Sequence, residues 1–142
     1  MPDLPIEVAI ERAREVLAVD RGIPGRADYV ARLDRPGTGY YLVCFGAENA
    51  AIGVSAVDAA SAGLLSHATL PGSQSHLAVT AEEASRQAGA LGVRSPRLVW
   101  CPCQASFSML LPFWEVSTVE GLVYIDQQRR RWTELEAGGP GG

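Results

Sequence analysis

The stretch Val54-Ser55-Ala56-Val57-Asp58, an apolar run that ends in Asp, recurs in the second half of the chain as Leu122-Val123-Tyr124-Ile125-Asp126. An aromatic run precedes each copy, namely Tyr40-Tyr41-Leu42-Val43 and Phe113-Trp114-Glu115-Val116. Short runs rich in aromatic and β-branched residues are typical of strands. Because the same pattern is written twice in the same order, the sequence predicts an internal repeat.

A helical segment precedes the strands in each half. Ile6, Ala9 and Ala13 recur at three- and four-residue spacing among charged residues, which predicts an amphipathic helix. In the second half, Thr80-Ala81-Glu82-Glu83 has the form of a capping box, in which the Thr hydroxyl and the Glu carboxylate each accept a backbone N–H. The apolar positions that follow predict a helix ending at Gly92.

We therefore predict an α+β fold of two pseudo-symmetric halves, each with one helix packed on an antiparallel β-meander. The predicted half-repeats are residues 1–72 and 73–137 of a single domain that spans 1–142. Residues 138–142 are Gly-rich and are expected to form a flexible tail. The predicted strands are 29–33, 40–45, 52–57 and 64–70 in the first half, and 97–101, 113–118, 122–126 and 131–135 in the second.

These repeated runs resemble PepSY-type repeats, in which an aromatic strand leads through a hairpin to an apolar strand ending in Asp and a turn. The second half is the better match, through Phe113-Trp114-Glu115-Val116 and Val123-Tyr124-Ile125-Asp126. The resemblance implies a cystatin-like half with one helix on a small antiparallel sheet. That family includes inhibitory propeptides of secreted peptidases and binding proteins of the cell envelope. Its motifs contain no catalytic residue, so the resemblance implies a non-enzymatic binding module.

Composition fits one globular domain, with 142 residues, 47% of them apolar and 20% charged. The net charge of −4 argues against a protein that grips phosphate backbones, so we predict no nucleic-acid partner. The run Arg129-Arg130-Arg131 beside Trp132 is interpreted as a turn with solvated Arg side chains and a packed Trp, in preference to a nucleic-acid site.

No run approaches the ~18 apolar residues that cross a bilayer, so we also predict no membrane partner. The first five residues lack the positive and apolar regions of a secretion signal. The three cysteines are an odd number, and each lies in or beside an apolar run, which favours reduced thiols over disulfides. We therefore expect a cytoplasmic protein.

Cys101-Pro102-Cys103 is the candidate for metal or redox chemistry, and His67 and His76 would bring its potential ligands to four. Zinc sites usually space their cysteines two to four residues apart, and the chain has no second Cys pair. We therefore interpret both as buried structural thiols, and we predict no metal, no cofactor and no essential role for either.

Asp58 and Asp126 are the candidates for a catalytic carboxylate pair. Each stands where a predicted strand enters a turn, and an Asp there accepts hydrogen bonds from backbone N–H groups two residues on. We therefore interpret both as turn-forming. The sequence contains no recognisable nucleophile motif or phosphate loop, so we predict that the protein is not an enzyme.

Two features predict a partner-binding surface. Consecutive aromatic residues in a strand face opposite sides, so the runs at Tyr40 and Phe113 predict aromatic side chains on a sheet face that the helix does not cover. Such a face would pack between halves, form a homodimer or bind another protein. The irregular segment 104–112 is the second feature, with a crossover folded onto the core as its alternative. The predicted partner-binding residues are Tyr40, Phe107, Met109, Leu110, Phe113 and Trp114.

Taken together, these features favour a small non-enzymatic module that binds or regulates a protein or peptide. One alternative is an immunity-type inhibitor of a toxin or an enzyme. The other is a thiol- or metal-dependent protein that uses Cys101 and Cys103.

Overall fold

The fold is α+β in the computed structural model, which describes residues 3–89 and 95–136. This part of the chain contains two helices and eight strands. It forms two compact units, one made of the chain up to Ala31 with Gly37–His76, the other of Arg32–Pro36 with the chain from Leu77 onward. In chain order the elements are α1 (Ile6–Leu17), β1 (Gly25–Arg32), β2 (Gly39–Ala47), β3 (Ala50–Asp58), β4 (Leu64–Thr69), α2 (Ala81–Ala88), β5 (Arg97–Trp100), β6 (Phe113–Thr118), β7 (Gly121–Ile125) and β8 (Arg131–Trp132).

Helix α1 of the first unit begins after Pro5, whose φ of −59° suits a position just before a helix. It ends where Ala18 adopts the left-handed conformation, with φ 53°, and donates its backbone N–H to the last turn. Ala9 and Ala13 lie on the buried face. Because both side chains are small, the helix axis can approach the sheet closely.

The strands of the first unit form an antiparallel ladder in the order β1, β2, β3, β4. Tyr41 lies opposite Tyr29 of β1 and Val57 of β3. Tyr41, Val43 and Phe45 alternate along β2 and pack against α1. Each large side chain buried in this way contributes roughly 1.5–3 kcal/mol to folding.

Helix α2 of the second unit begins at its predicted cap. The Thr80 hydroxyl accepts the Glu83 backbone N–H at 3.1 Å, whereas the Glu83 carboxylate pairs with Arg129 at 3.3 Å. The helix ends after Ala88, where Gly89 has φ 72°. The predicted end at Gly92 lies outside the described residues.

Strands β5 to β8 of the second unit also pair antiparallel. Ala84 and Ala88 of α2 pack against Val116, Val123 and Ile125, which alternate on β6 and β7. Every predicted strand overlaps a strand of the structure. The strand predicted for 131–135 is shorter and ends at Trp132, and the predicted tail 138–142 lies outside the described residues.

Candidate functional site

The aromatic residues of β2 and β6 do not form an open surface. Tyr40 and Phe113 are both 0% exposed, so the prediction that they lie on an uncovered sheet face is wrong. The physical reason is that β2 is buried on both faces, since Leu42 and Cys44, which alternate with the residues facing α1, are also fully buried. A continuous apolar run is typical of a strand covered on both sides.

Trp114 lies on the side of β6 that faces α2 and packs against the core of the second unit. Its indole N–H donates to the carbonyl of Val79 at 2.8 Å. A half-buried Trp whose polar atom is bonded within its own unit has a structural role. The other three predicted contact residues, Phe107, Met109 and Leu110, lie in the loop 104–112.

The loop 104–112 is irregular, as predicted, and its middle reaches the surface. Phe107 is 60% exposed and Leu111 is 45% exposed, while Met109 and Leu110 are half-buried. Beside the loop is a cavity of about 440 Å³, which we call the loop cavity. Its walls include Ala105, Ser106, Phe107 and Leu111 from the loop, and Gln128 and Arg130 from the β7–β8 turn.

Serine side chains fix the shape of this loop. The Ser106 hydroxyl accepts the Ser108 backbone N–H at 3.2 Å, and the Ser108 hydroxyl accepts the Leu110 backbone N–H at 3.2 Å. Cys103 and Ser106 also exchange two backbone hydrogen bonds. Such local bonds define turns, so Phe107 is presented from a shaped loop.

Gln127 joins the loop to the rest of the second unit. Its side-chain oxygen accepts the Val79 backbone N–H at 2.8 Å, and its side-chain nitrogen donates to the Pro112 carbonyl at 2.9 Å. At the other end of the loop, the Gln104 side chain accepts the Glu136 backbone N–H and donates to the Glu134 carbonyl. Both ends of the loop are therefore fixed by carboxamide groups.

Asp126 organises the turn that forms the opposite wall. Its carboxylate is 1% exposed and accepts four hydrogen bonds, from the backbone N–H groups of Gln128 and Arg130 at 2.9 Å each, from Arg130 Nε at 2.7 Å and from Trp132 Nε1 at 2.9 Å. Asp58 of the first unit likewise accepts the backbone N–H of Ala60, two residues on. The turn-forming interpretation is confirmed for both aspartates.

The three consecutive arginines of this turn each pair with a carboxylate. Arg129 pairs with Glu83, Arg130 with Asp126, and Arg131 with Glu120 at 3.8 Å. The indole N–H of Trp132 is bonded to Asp126. The predicted turn with Arg side chains and a packed Trp is therefore confirmed.

All three cysteines are free and buried. Cys101 lies just beyond β5, so the strand expected to continue to Cys101 ends one residue earlier, and Cys103 directly precedes the loop. Burial and the neighbouring Cys103 thiol raise the pKa of Cys101 to about 12. A raised pKa removes the thiolate, which is the nucleophile and the metal ligand.

We expect the native thiols to resist alkylation. At pH 8 a thiol whose pKa is about 12 is ionised in only about one molecule in ten thousand, and Cys101 is also shielded from reagent. Iodoacetamide should modify the native protein at least a hundredfold more slowly than the urea-unfolded protein. Mass spectrometry would follow this rate, and rapid labelling of Cys101 without unfolding would contradict the structural assignment.

Among residues 3–89 and 95–136, no three His, Cys, Asp or Glu side chains lie together so as to hold a metal ion. His76, one of the potential ligands, has both ring nitrogens buried. Burial, with a smaller effect of Arg26, lowers the pKa of its imidazole.

Three residues of this site, Gln104, Gln127 and Arg130, are absent from the predicted contact residues. Gln127 reaches Val79 across 48 residues, and no local pattern indicates such a bond. For Arg130 a signal existed, since it lies four residues after Asp126 in a turn that also contains Trp132.

Comparisons with protein-family models, with curated proteins and with solved structures give no match for this chain. Within the residues that the structure describes, neither helix has the length and apolar character needed to span a bilayer.

Proposed function

We propose that the protein is a non-enzymatic module that binds a protein or peptide through the loop cavity. The observation that carries this proposal is the exposure of Phe107, which is 60% accessible although Phe45 and Phe113 are both fully buried. Aromatic side chains at the surface beside a concavity are typical of contact sites, where they contribute a large share of the binding energy.

The fixed frame of the loop supports the same proposal. Hydrogen bonds that involve the side chains of Ser106, Ser108 and Gln127 hold the loop in shape without a partner. A surface that is ordered before binding loses less conformational entropy when the partner arrives. A mobile loop of the same composition would bind more weakly.

The polar groups around the loop cavity support a binding role in preference to a catalytic one. Within the described residues, the hydrogen bonds of the Ser106 and Ser108 hydroxyls are to loop backbone groups and not to a side-chain base. The Asp126 carboxylate is buried and accepts four hydrogen bonds, which leaves it unsuited to proton transfer.

We also propose that the two units are PepSY-like repeats of one pseudo-symmetric domain, with boundaries near the predicted 1–72 and 73–137. Support comes from the same order of elements in each unit and from Asp58, the last residue of β3, and Asp126, the residue after β7, which form similar turns. We assign the protein to the cytoplasm on the basis of its three free cysteines.

Of the alternatives raised by the sequence, the homodimer and the thiol-dependent protein lose support. An immunity-type inhibitor would use the same loop cavity and differs only in its partner. A homodimer formed through the aromatic sheet face loses its basis because Tyr40 and Phe113 are buried. The raised pKa of Cys101 argues against the thiol-dependent alternative.

Phe107→Ser is expected to weaken partner binding by roughly thirty- to a hundredfold, the loss typical of a central aromatic contact. Stability should be unchanged because the side chain is exposed. Val119→Ser is the matched control, since Val119 is 83% exposed but lies in the β6–β7 turn, away from the residues that line the loop cavity. Captured partners would be quantified by mass spectrometry with the wild type and both variants as bait. Equal recovery by the two variants would refute the loop cavity as the contact site.

A further inference from the structure

Arg130 is the charged side chain in the wall of the loop cavity, and it is held on three sides. Its Nε donates to Asp126 at 2.7 Å, its Nη2 donates to the Gln104 carbonyl at 3.5 Å, and its guanidinium carbon lies 5.3 Å from the centre of the Trp132 ring. The side chain is nevertheless 49% exposed. It is thus a pre-oriented cation beside a cavity, unlike a freely moving surface arginine.

Asp126 balances only part of the positive charge that Arg130 presents to the loop cavity. Its partner Asp126 lies on the interior side, 1% exposed, and shares its negative charge with two backbone N–H groups and the Trp132 indole. Within the described residues, Arg130 Nη1 donates no hydrogen bond to the protein. The outer edge of the guanidinium therefore has N–H donors free to bind an acceptor, and the geometry of that edge suits a carboxylate.

Apolar surface lies in the same cavity as this donor edge. Phe107, Leu111 and Ala105 form its apolar walls, and the volume of about 440 Å³ is near the lower end of the range for ligand pockets. A cavity of this size holds one or two residues of a peptide. An internal peptide segment would present single carbonyl oxygens, whereas a chain terminus presents two carboxylate oxygens next to a side chain.

We infer that the loop cavity binds the free C-terminal carboxylate of a peptide or protein whose last side chain is apolar. Arg130 receives the carboxylate, and Phe107 and Leu111 contact the side chain. The inference rests on the proposed function, since it names the ligand chemistry of the same site. The neighbouring Arg129 and Arg131 are not among the residues that line the loop cavity, so we assign carboxylate recognition to Arg130.

Three short peptides test this inference by NMR titration of the labelled full chain. Acetyl-Gly-Gly-Gly-Leu with a free carboxylate should shift the amide resonances of Phe107, Gln128 and Arg130. The same peptide with a C-terminal amide should bind at least tenfold more weakly. Acetyl-tetraglycine with a free carboxylate should also bind at least tenfold more weakly, because it lacks the apolar side chain.

Variants assign the effect to Arg130. Arg130→Gln should remove the preference for the free carboxylate, and Arg131→Gln, which changes a neighbouring arginine in the same turn, should leave it unchanged. The indole N–H resonance of Trp132 reports whether the Asp126 turn is intact in each variant. Should Arg130→Gln disturb that resonance, Arg130→Lys keeps the positive charge but loses the two-pronged donor edge, and it should reduce the preference at least threefold.

The outcomes separate this inference from the proposed function. Equal affinity for the acid and amide peptides, with shifts at the loop, would overturn carboxylate recognition and leave peptide binding in place. An absence of binding by all three peptides at millimolar concentration would also overturn it. The proposed function is judged independently by capture with the Phe107→Ser variant. An unchanged preference in a well-folded Arg130 variant would overturn the role of that residue.

Discussion

Replacement of Asp126 by Ala is expected to lower the free energy of unfolding by about 3 to 4 kcal/mol. The carboxylate is 1% exposed and accepts four hydrogen bonds, two from backbone N–H groups, one from Arg130 and one from the Trp132 indole. Removing it leaves these donors without their acceptor in a region that water reaches poorly. Urea unfolding followed by tryptophan fluorescence would measure the loss.

Asp58→Ala is the matched control, because Asp58 occupies the corresponding turn of the first unit. Its carboxylate accepts the N–H groups of Ala60 and Ser61 and the Ser61 hydroxyl, but this site is open to solvent. Water can replace a lost acceptor there, so the expected cost is only about 1 kcal/mol. Equal losses in the two variants would show that the burial of Asp126 adds nothing to its contribution.

Local patterns in the sequence predicted the features that depend on near neighbours. The spacing of Ala9 and Ala13 indicated which face of α1 is buried, and Thr80 marked the start of α2. The two aspartates indicated their turns because an Asx turn is closed by atoms two residues away. Each of these features is determined by contacts within about one turn of chain.

Features that depend on distant contacts escaped prediction. Alternation along β2 correctly placed Tyr40 and Tyr41 on opposite faces, but alternation cannot show what covers each face. The better signal in the sequence was the uninterrupted apolar run over residues 40–45, because an open sheet face requires polar residues at every second position.

The candidate site likewise has one part that local sequence predicted and one part that depends on distant contacts. Composition alone indicated that the loop 104–112 would carry exposed apolar side chains, and Phe107 and Leu111 do so. The opposite wall could not be foreseen, because Arg130 is aimed at the cavity by a buried carboxylate and a Trp ring from the following strand. Its position is a product of tertiary structure, while its presence in a turn was visible in the sequence.

Gly46→Ala is expected to lower the free energy of unfolding by about 3 kcal/mol or more. Gly46 lies in β2 at a register shift of the β2–β3 ladder, and its φ of +110° is one that L residues with a side chain rarely adopt. A Cβ there would also lie 2.5 Å from the backbone carbonyl oxygen of Ala50, which cannot rotate away as a side chain would. The strained φ and the close contact therefore both destabilise the Gly46→Ala variant.

Variants at two other glycines separate the cost of the strained φ from the cost of the close backbone contact. Gly37 has φ +86° but no heavy atom within 4 Å of the position of a Cβ, so Gly37→Ala carries only the conformational strain, about 1 kcal/mol. Gly22 has open space and no positive φ, so Gly22→Ala should be nearly neutral. Thermal and urea unfolding of the three variants should therefore give losses in the order Gly46, Gly37, Gly22. If Gly37→Ala were as costly as Gly46→Ala, the contact with the Ala50 carbonyl would contribute nothing to the loss of stability.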